Sequence, residues 1–235
     1  MKRVVLFLFT AFFAPALCYG GLFQAHFNDG INSEYWSINQ NTGIYSVDDT
    51  HGDIRLEKTG TAQPGMNLVE IKLNLSKVSL IGDTIPGDFE AIINFSEAVL
   101  PGPGLDQVEL HTAFTSGQYF FNVRDNDSGT QNVHVWDGQI RGGFPTPAAA
   151  GTLRIVRQAD VITAFFDDSL VYQKSFVTAN LNSLSFTLQN NLGSNDHTSV
   201  IFDDFKLSGE YVVPEPAGIC LFSAGLAALR RRRKA

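Results

Sequence analysis

Along Asp88-Phe-Glu-Ala-Ile-Ile-Asn-Phe95, apolar side chains recur at every second position. Phe89, Ala91, Ile93 and Phe95 share one face, and Asp88, Glu90 and Asn94 share the other. A period of two is that of a strand with one buried side. Similar alternation predicts strands over 53–58, 67–73, 107–114, 118–124, 131–136, 152–157, 161–166, 169–175, 183–189 and 199–208. Thr115-Ser-Gly117, Gln158-Ala-Asp160 and Asp167-Asp168 supply the small and polar residues of tight turns between several of them. Pro101-Gly-Pro-Gly104 and Phe144-Pro-Thr-Pro147, with Ala148 to Ala150, read as extended loops. No stretch between Leu22 and Ser208 sustains a helical period, and no internal repeat is visible. Short strands joined by tight turns predict an all-β chain, with one domain over residues 21–212 built as a two-sheet antiparallel sandwich.

The two ends break this pattern. Residues 1–20 have a short basic start (Lys2, Arg3), an apolar run from Val4 to Phe13 and then small and helix-breaking residues. That is the three-part plan of a secretory signal peptide, with cleavage expected near Gly20. Acylation of Cys18 is disfavoured by Leu17 before it, where a small residue is required. At the other end, the prolines of Val213-Pro-Glu-Pro-Ala217 cannot continue a strand. The apolar run from Ile219 to Leu229 is far shorter than the ~20 residues of a comfortable membrane span. Arg230, Arg231, Arg232, Arg233 and Lys234 follow it and should stay on the cytoplasmic side.

Charge changes once the ends are set apart. Seven of the 17 basic residues and one of the 24 acidic residues lie in the terminal segments, leaving residues 21–213 with 10 basic, 23 acidic and a formal charge of −13. Such a surface repels phosphate backbones, which excludes nucleic acid as a partner. Both cysteines, Cys18 and Cys220, fall in the ends. The body therefore has no disulfide, no thiol chemistry and no cysteine-based zinc site. It depends on its core, for which 44% hydrophobic content with 19 Phe is ample.

Two resemblances follow from these residues. Pro214, Glu215 and Pro216, the short apolar run and Arg230 to Arg233 together resemble the PEP-CTERM sorting signal over residues 213–235. The resemblance implies export by a Gram-negative bacterium, a transient inner-membrane tether, cleavage by an exosortase and delivery to the cell surface or extracellular matrix. The shortness of the apolar run is its one departure. Over most of residues 22–209 the body resembles the concanavalin A-like, or laminin G-like, jelly roll. Phe27-Asn-Asp-Gly30 with Trp36 resembles that family's first strand and loop. Gly151-Thr-Leu-Arg-Ile-Val-Arg157, Val161-Ile-Thr-Ala-Phe-Phe-Asp167 and Val171-Tyr172 resemble its late hairpins, and Val200–Leu207 its closing strand. This architecture hosts lectins, glycosidases, lyases and plain adhesion modules, so it implies a fold more than an activity.

Candidate chemistry lies on three neighbouring strand segments. With Val108, Leu110, Thr112, Tyr119, Phe121, Val123, Val133 and Val135 facing the core, the opposite face displays Glu109, His111, Phe120, Asn122, Arg124, His134 and Trp136. Aromatic planes that cover the apolar C–H face of a sugar, beside fixed polar groups, suit carbohydrate binding. In the resembled family the concave sheet is a common sugar-contacting surface. Against this stands the ordinary solvent face of any antiparallel sheet, which is polar with scattered aromatics. Glycoside hydrolysis needs two carboxyl groups, and Asp106-Gln-Val-Glu-Leu-His-Thr112 shows Glu109 alone on its face beside His111. A Glu–His pair suits general-base chemistry instead, as in a lyase. The expectation is an exported matrix or surface protein that binds extracellular polysaccharide. The alternatives are a polysaccharide-degrading hydrolase or lyase, and a structural matrix protein with no specific ligand.

Asn28 and Asp29 near the first strand and Asp203 with Asp204 near the last are oxygen ligands suited to a structural calcium ion, provided those strands are neighbours, as they are in the resembled fold. Calcium at a hundredfold excess over its dissociation constant adds about 2.7 kcal/mol of stability. The expected outcome is a melting temperature raised by calcium and lowered by chelator; indifference to both counts against the site.

Overall fold

The computed structural model describes residues 21–213 except 42, 62–64, 102–104, 128, 176–178 and 191–196. The expected leader, Cys18 and Cys220, and the residues of the expected sorting signal, Pro214, Glu215, Pro216 and Arg230 to Arg233, lie outside the described residues.

Fifteen strands and one four-residue helix make up the described chain. They are β1 (Gly21–Ala25), β2 (Trp36–Gln40), β3 (Tyr45–Asp48), β4 (Ile54–Lys58), β5 (Asn67–Leu73), α1 (Leu75–Val78), β6 (Phe89–Val99), β7 (Leu105–Phe114), β8 (Tyr119–Asp127) and β9 (Thr130–Trp136). The remainder are β10 (Ile140–Pro145), β11 (Gly151–Gln158), β12 (Val161–Phe166), β13 (Ser169–Ser175), β14 (Leu181–Asn190) and β15 (Ser199–Gly209). One sheet runs β13-β12-β11-β6-β15-β4-β3, with β1 also paired to β15; the other runs β10-β9-β8-β7-β14-β5-β2. Every pairing between these strands is antiparallel. Adjacent strands such as β6 with β15 and β7 with β14 are remote in sequence. That is the crossover wiring of a jelly roll.

Phe89, Ala91, Ile93 and Phe95 of β6 are buried, as their alternation predicts. Trp36 opens β2 in the seven-stranded sheet and meets Phe205 of β15 edge-on, with ring centroids 4.9 Å apart. Phe186 of β14 packs on Trp36 at 5.6 Å and on Phe202 of β15 at 4.6 Å. Aromatic rings thus rivet one sheet to the other, each burying about 150–250 Å². The Phe27–Gly30 segment that resembles a first strand and loop is instead a turn after β1, closed by the Gly30 N–H on the Phe27 carbonyl at 2.8 Å.

One local feature departs from the sequence reading. Ile140–Pro145 is a strand rather than part of a loop. Its Arg141-Gly-Gly-Phe run bulges between Arg141 and Phe144, which hides the alternation. Gly142 and Gly143 both have positive φ, and a Cβ on either would strike a backbone carbonyl, of Val171 and Val133 respectively. Only glycine permits that approach. Pro145 is tolerated because β10 is an edge strand. The turn Asp167-Asp168 is where the sequence places it, with φ of 46° and 63°, the pair of left-handed residues that suits a tight hairpin.

Replacing Phe186 by Ala should cost about 3–5 kcal/mol, since a large ring is lost where two sheets meet. Leu170→Ala, at a side chain 55% exposed, should stay within about 0.5 kcal/mol of the parent. Urea unfolding midpoints at constant m-value measure both.

Candidate functional site

Register decides which side chains share the outer face of the seven-stranded sheet. Trp136, Phe121, His111, Ser185 and Lys72 lie side by side across β9, β8, β7, β14 and β5. The next row is His134, Val123, Glu109, Thr187 and Glu70, and the next is Asn132, Asp125, Gln107 and Gln189. Directly opposed residues point to the same side. Glu109, His111, His134 and Trp136 therefore occupy one face, as the alternation predicts.

The phase of β8 is the reverse of that expected. Phe120, Asn122 and Arg124 face the interior, and Tyr119, Phe121, Val123 and Asp125 face outward. Tyr-Phe-Phe-Asn-Val-Arg carries apolar residues in both phases, so alternation alone does not choose between them. The interior tolerates the polar pair because each is hydrogen-bonded. Asn122 reaches across the sandwich, its Nδ2 donating to the carbonyls of Arg154 (3.2 Å) and Phe165 (2.7 Å). Arg124 donates from Nε to the Ala148 carbonyl at 3.1 Å and from Nη2 to Gln131 Oε1 at 2.8 Å. These three residues support the sheet from behind and do not meet a ligand on its outer face.

Tyr119, Phe121 and His111 form a continuous stack. The His111 and Phe121 rings are 3.9 Å apart and nearly parallel, and Tyr119 lies 5.1 Å from Phe121. Tyr119, at the end of this stack, keeps 37% of its surface exposed, and Trp136, opposite Phe121 on β9, keeps 39%. Beneath it, His111 Nε2 contacts Glu109 Oε2, which also accepts the Thr187 hydroxyl at 3.0 Å. Glu70 accepts the Ser185 hydroxyl at 2.6 Å and the Asn39 amide at 3.0 Å.

His134 Nδ1 stands 3.6 Å from Asp125 Oδ2. Both side chains are almost wholly buried, and Asp125 Oδ1 has no hydrogen-bond partner. Burial pushes the Asp125 carboxyl up to about 6, only partly offset by the nearby Arg124 charge. Burial also pulls the His134 imidazole down, against the opposing pull of the Glu109 charge. Beside this pair the bulge of β10 opens a cleft of about 420 Å³, lined by Asp125, Asn132, His134, Ile140, Gly142 and Gly143 among others. Asp137, at the end of the same hairpin, binds Lys174 Nζ at 2.5 Å and Arg141 Nε at 3.2 Å, which ties the hairpin to β13.

A second acid does share the face, though not the strand, with Glu109. Glu70 and Glu109 both flank Thr187 directly, so their backbones are two strand spacings, about 10 Å, apart. Asp125, Glu70, Tyr119 and Phe121 are site residues that strand-by-strand reading missed. Only the cross-strand register, which has no local signature, reveals them.

Of the proposed calcium ligands, Asp203 and Asn28 lie against other groups. Asp203 Oδ1 accepts the Asp204 N–H at 2.6 Å, and Asp204 pairs with His26 at 2.5 Å. Asn28 lies against Gly52. Among the described residues, no group of three or more His, Cys, Asp or Glu is arranged to hold a metal ion.

No protein-family profile and no curated protein sequence matches the chain. Solved structures do match its shape. The carbohydrate recognition domain of Emp47p aligns with 83% of this chain and 96% of its own, at 12% identity and a TM-score of 0.54. A Bacillus licheniformis β-glucanase covers 81% of this chain and 99% of its own, at 14% identity and a TM-score of 0.54. A Bacillus subtilis protein of unknown function with a galectin-like fold covers 84% and 99%, at 9% identity and a TM-score of 0.54. The fold is a concanavalin A-like jelly roll. At these identities the likeness is one of architecture, and the jelly roll's function has to be argued from its own side chains.

The Asp125–His134 pair makes stability depend on pH in two opposed ways. With its folded value raised, Asp125 holds its proton more tightly in the native state, so its contribution is complete below about pH 4 and is lost as pH rises through about 6. His134, lowered by burial, contributes the other way: its stability is present above about pH 6.5 and is lost as pH falls through the folded value. Asp125→Asn should therefore raise the melting temperature at pH 7.5 and leave it unchanged at pH 4. An equal gain at both pH values, or a loss at pH 7.5, contradicts the assignment.

Proposed function

We propose that the jelly roll binds a glycan on the outer face of its seven-stranded sheet, against Tyr119, Phe121 and Trp136 and beside Glu109, His111, Asp125 and His134. The observation that carries this reading is the aromatic stack bordering a row of positioned acceptors. An exposed ring covers the C–H face of a pyranose while fixed oxygens and nitrogens meet its hydroxyls. The jelly-roll neighbours, which include a carbohydrate recognition domain and a glucanase, support a carbohydrate-directed role without specifying one.

We further propose that the chain reaches that glycan by export. The leader-like residues 1–20 and the PEP-CTERM-like residues 213–235 support a precursor tethered briefly to the inner membrane, cut by an exosortase and released to the cell surface or matrix. A sugar-binding domain there would hold matrix polysaccharide in place.

The second reading is a polysaccharide-degrading enzyme. It is favoured by Glu109 and Glu70 facing outward on either side of Thr187, since paired carboxyls are what glycoside hydrolysis requires. Both are already engaged by hydroxyls, which is how a passive binding face also holds its acids.

A glycan array with product analysis on any hit separates the readings. Trp136→Ala should weaken binding by about tenfold, the order of one lost stacking contact, with an unchanged circular-dichroism spectrum. Binding without product supports the lectin-like role, released reducing or unsaturated ends support the enzyme, and an empty array leaves a structural matrix protein with no specific ligand.

A further inference from the structure

We propose that the glycan taken by this face carries free amino groups, as a partly deacetylated hexosamine polymer does, rather than carboxylates. The inference rests on the glycan-binding reading and names the substrate class of the same site.

Charge is the first observation. By register, the described strand residues of the outer face include four carboxylates, Glu70, Glu109, Asp125 and Asp127, and one lysine, Lys72. His111 and His134 are the other titratable groups, and burial favours the neutral form of His134. A uronate polymer would bring like charge onto this face without a cationic clamp to receive it. The surrounding body adds to the repulsion, with 23 acidic and 10 basic residues between positions 21 and 213.

Hydrogen-bond inventory is the second. The hydroxyls of Thr187 and Ser185 already donate to Glu109 and Glu70, the Asn39 amide to Glu70, and the Gln189 amide to Gln107 at 2.7 Å. These four donors are turned onto acceptors of the face itself. Asp125 is the exception: it lines the cleft beside β10, is 3% exposed and has one carboxylate oxygen without a partner. A buried acceptor left open costs stability unless a ligand supplies a donor. An ammonium supplies a charge-assisted one, which is stronger than any sugar hydroxyl offers. Ile140 lines the same cleft, and Trp136, its partner across β9 and β10, lies four residues along β9 from Asn132, about 13 Å away, so a neighbouring unit of the same oligomer meets an aromatic plane able to take both C–H and cation contacts.

The test compares four probes on the purified protein by titration calorimetry: glucosamine oligomers, their N-acetylated counterparts, neutral glucose oligomers, and polyuronate oligomers with and without calcium. Glucosamine oligomers should bind about tenfold tighter than the N-acetylated ones, the size of one charge-assisted hydrogen bond. The gap should narrow between ~20 mM and ~500 mM salt, as screening shortens the reach of the body's charge. Asp125→Asn should shrink the preference to about twofold, while Asp160→Asn, which removes the same charge from an exposed turn between β11 and β12, should leave it in place. An equal loss in both variants reduces the effect to net charge and overturns the proposal. Neutral or acetylated oligomers binding as well as glucosamine overturns it too, yet leaves the glycan-binding reading standing. Polyuronate binding that requires calcium means the carboxylates hold a bridging cation, which likewise overturns it. Failure of every oligomer to bind removes both readings.

Discussion

The hydrogen-bonded register of β7 between β8 and β14 is the constraint on which the rest of the structure depends. It sets Glu109 opposite Val123 on one side and Thr187 on the other, and with that every neighbour of the face follows. A slip of one residue would exchange the two faces, burying Glu109 and exposing Leu110. The interior holds the register in place. Val108, Leu110, Phe186 and Leu188 are fully buried in the core, and Asn122 fastens β8 to carbonyls of the opposite sheet. The outer face thus inherits its geometry from packing on the inner one.

That face is organised at some expense to stability. A carboxylate and an imidazole are buried beside each other with an oxygen left unpaired, and burial disfavours the charged form of both. Proteins commonly accept such costs at sites meant for a ligand, where the missing partner arrives with it. The glycine bulge of β10 belongs to the same arrangement. By letting the backbone approach both β9 and β13, Gly142 and Gly143 shape the cleft in which Asp125 is reached.

Much of the architecture was readable as periodicity. The period-two runs from residue 53 to 208 correspond to strands β4 to β9 and β11 to β15, because each has one face in a core filled mainly by apolar side chains. Periodicity missed β10, where two glycines interrupt the alternation, and the short β1, β2 and β3 at the start. It gave the wrong phase for β8, whose Tyr119-Phe120-Phe121 run is apolar on both sides. The Glu109–His111 contact was legible because the two residues sit two apart on one strand. The partnership of Glu109 with Glu70, and of Asp125 with His134, was not, since those residues lie on different strands.

Local patterning settled the all-β class, the acidic character, the absence of cysteine from residues 21–213 and most of the strands. Those properties are written in nearest-neighbour order and composition. Which strands lie side by side, and therefore which acids, histidines and aromatic rings share a surface, was decided by the tertiary structure alone. Cross-strand proximity comes from strands remote in sequence packing over a shared core, and two residues nearly eighty positions apart, such as Glu109 and Thr187, bear no mark of each other until that core forms.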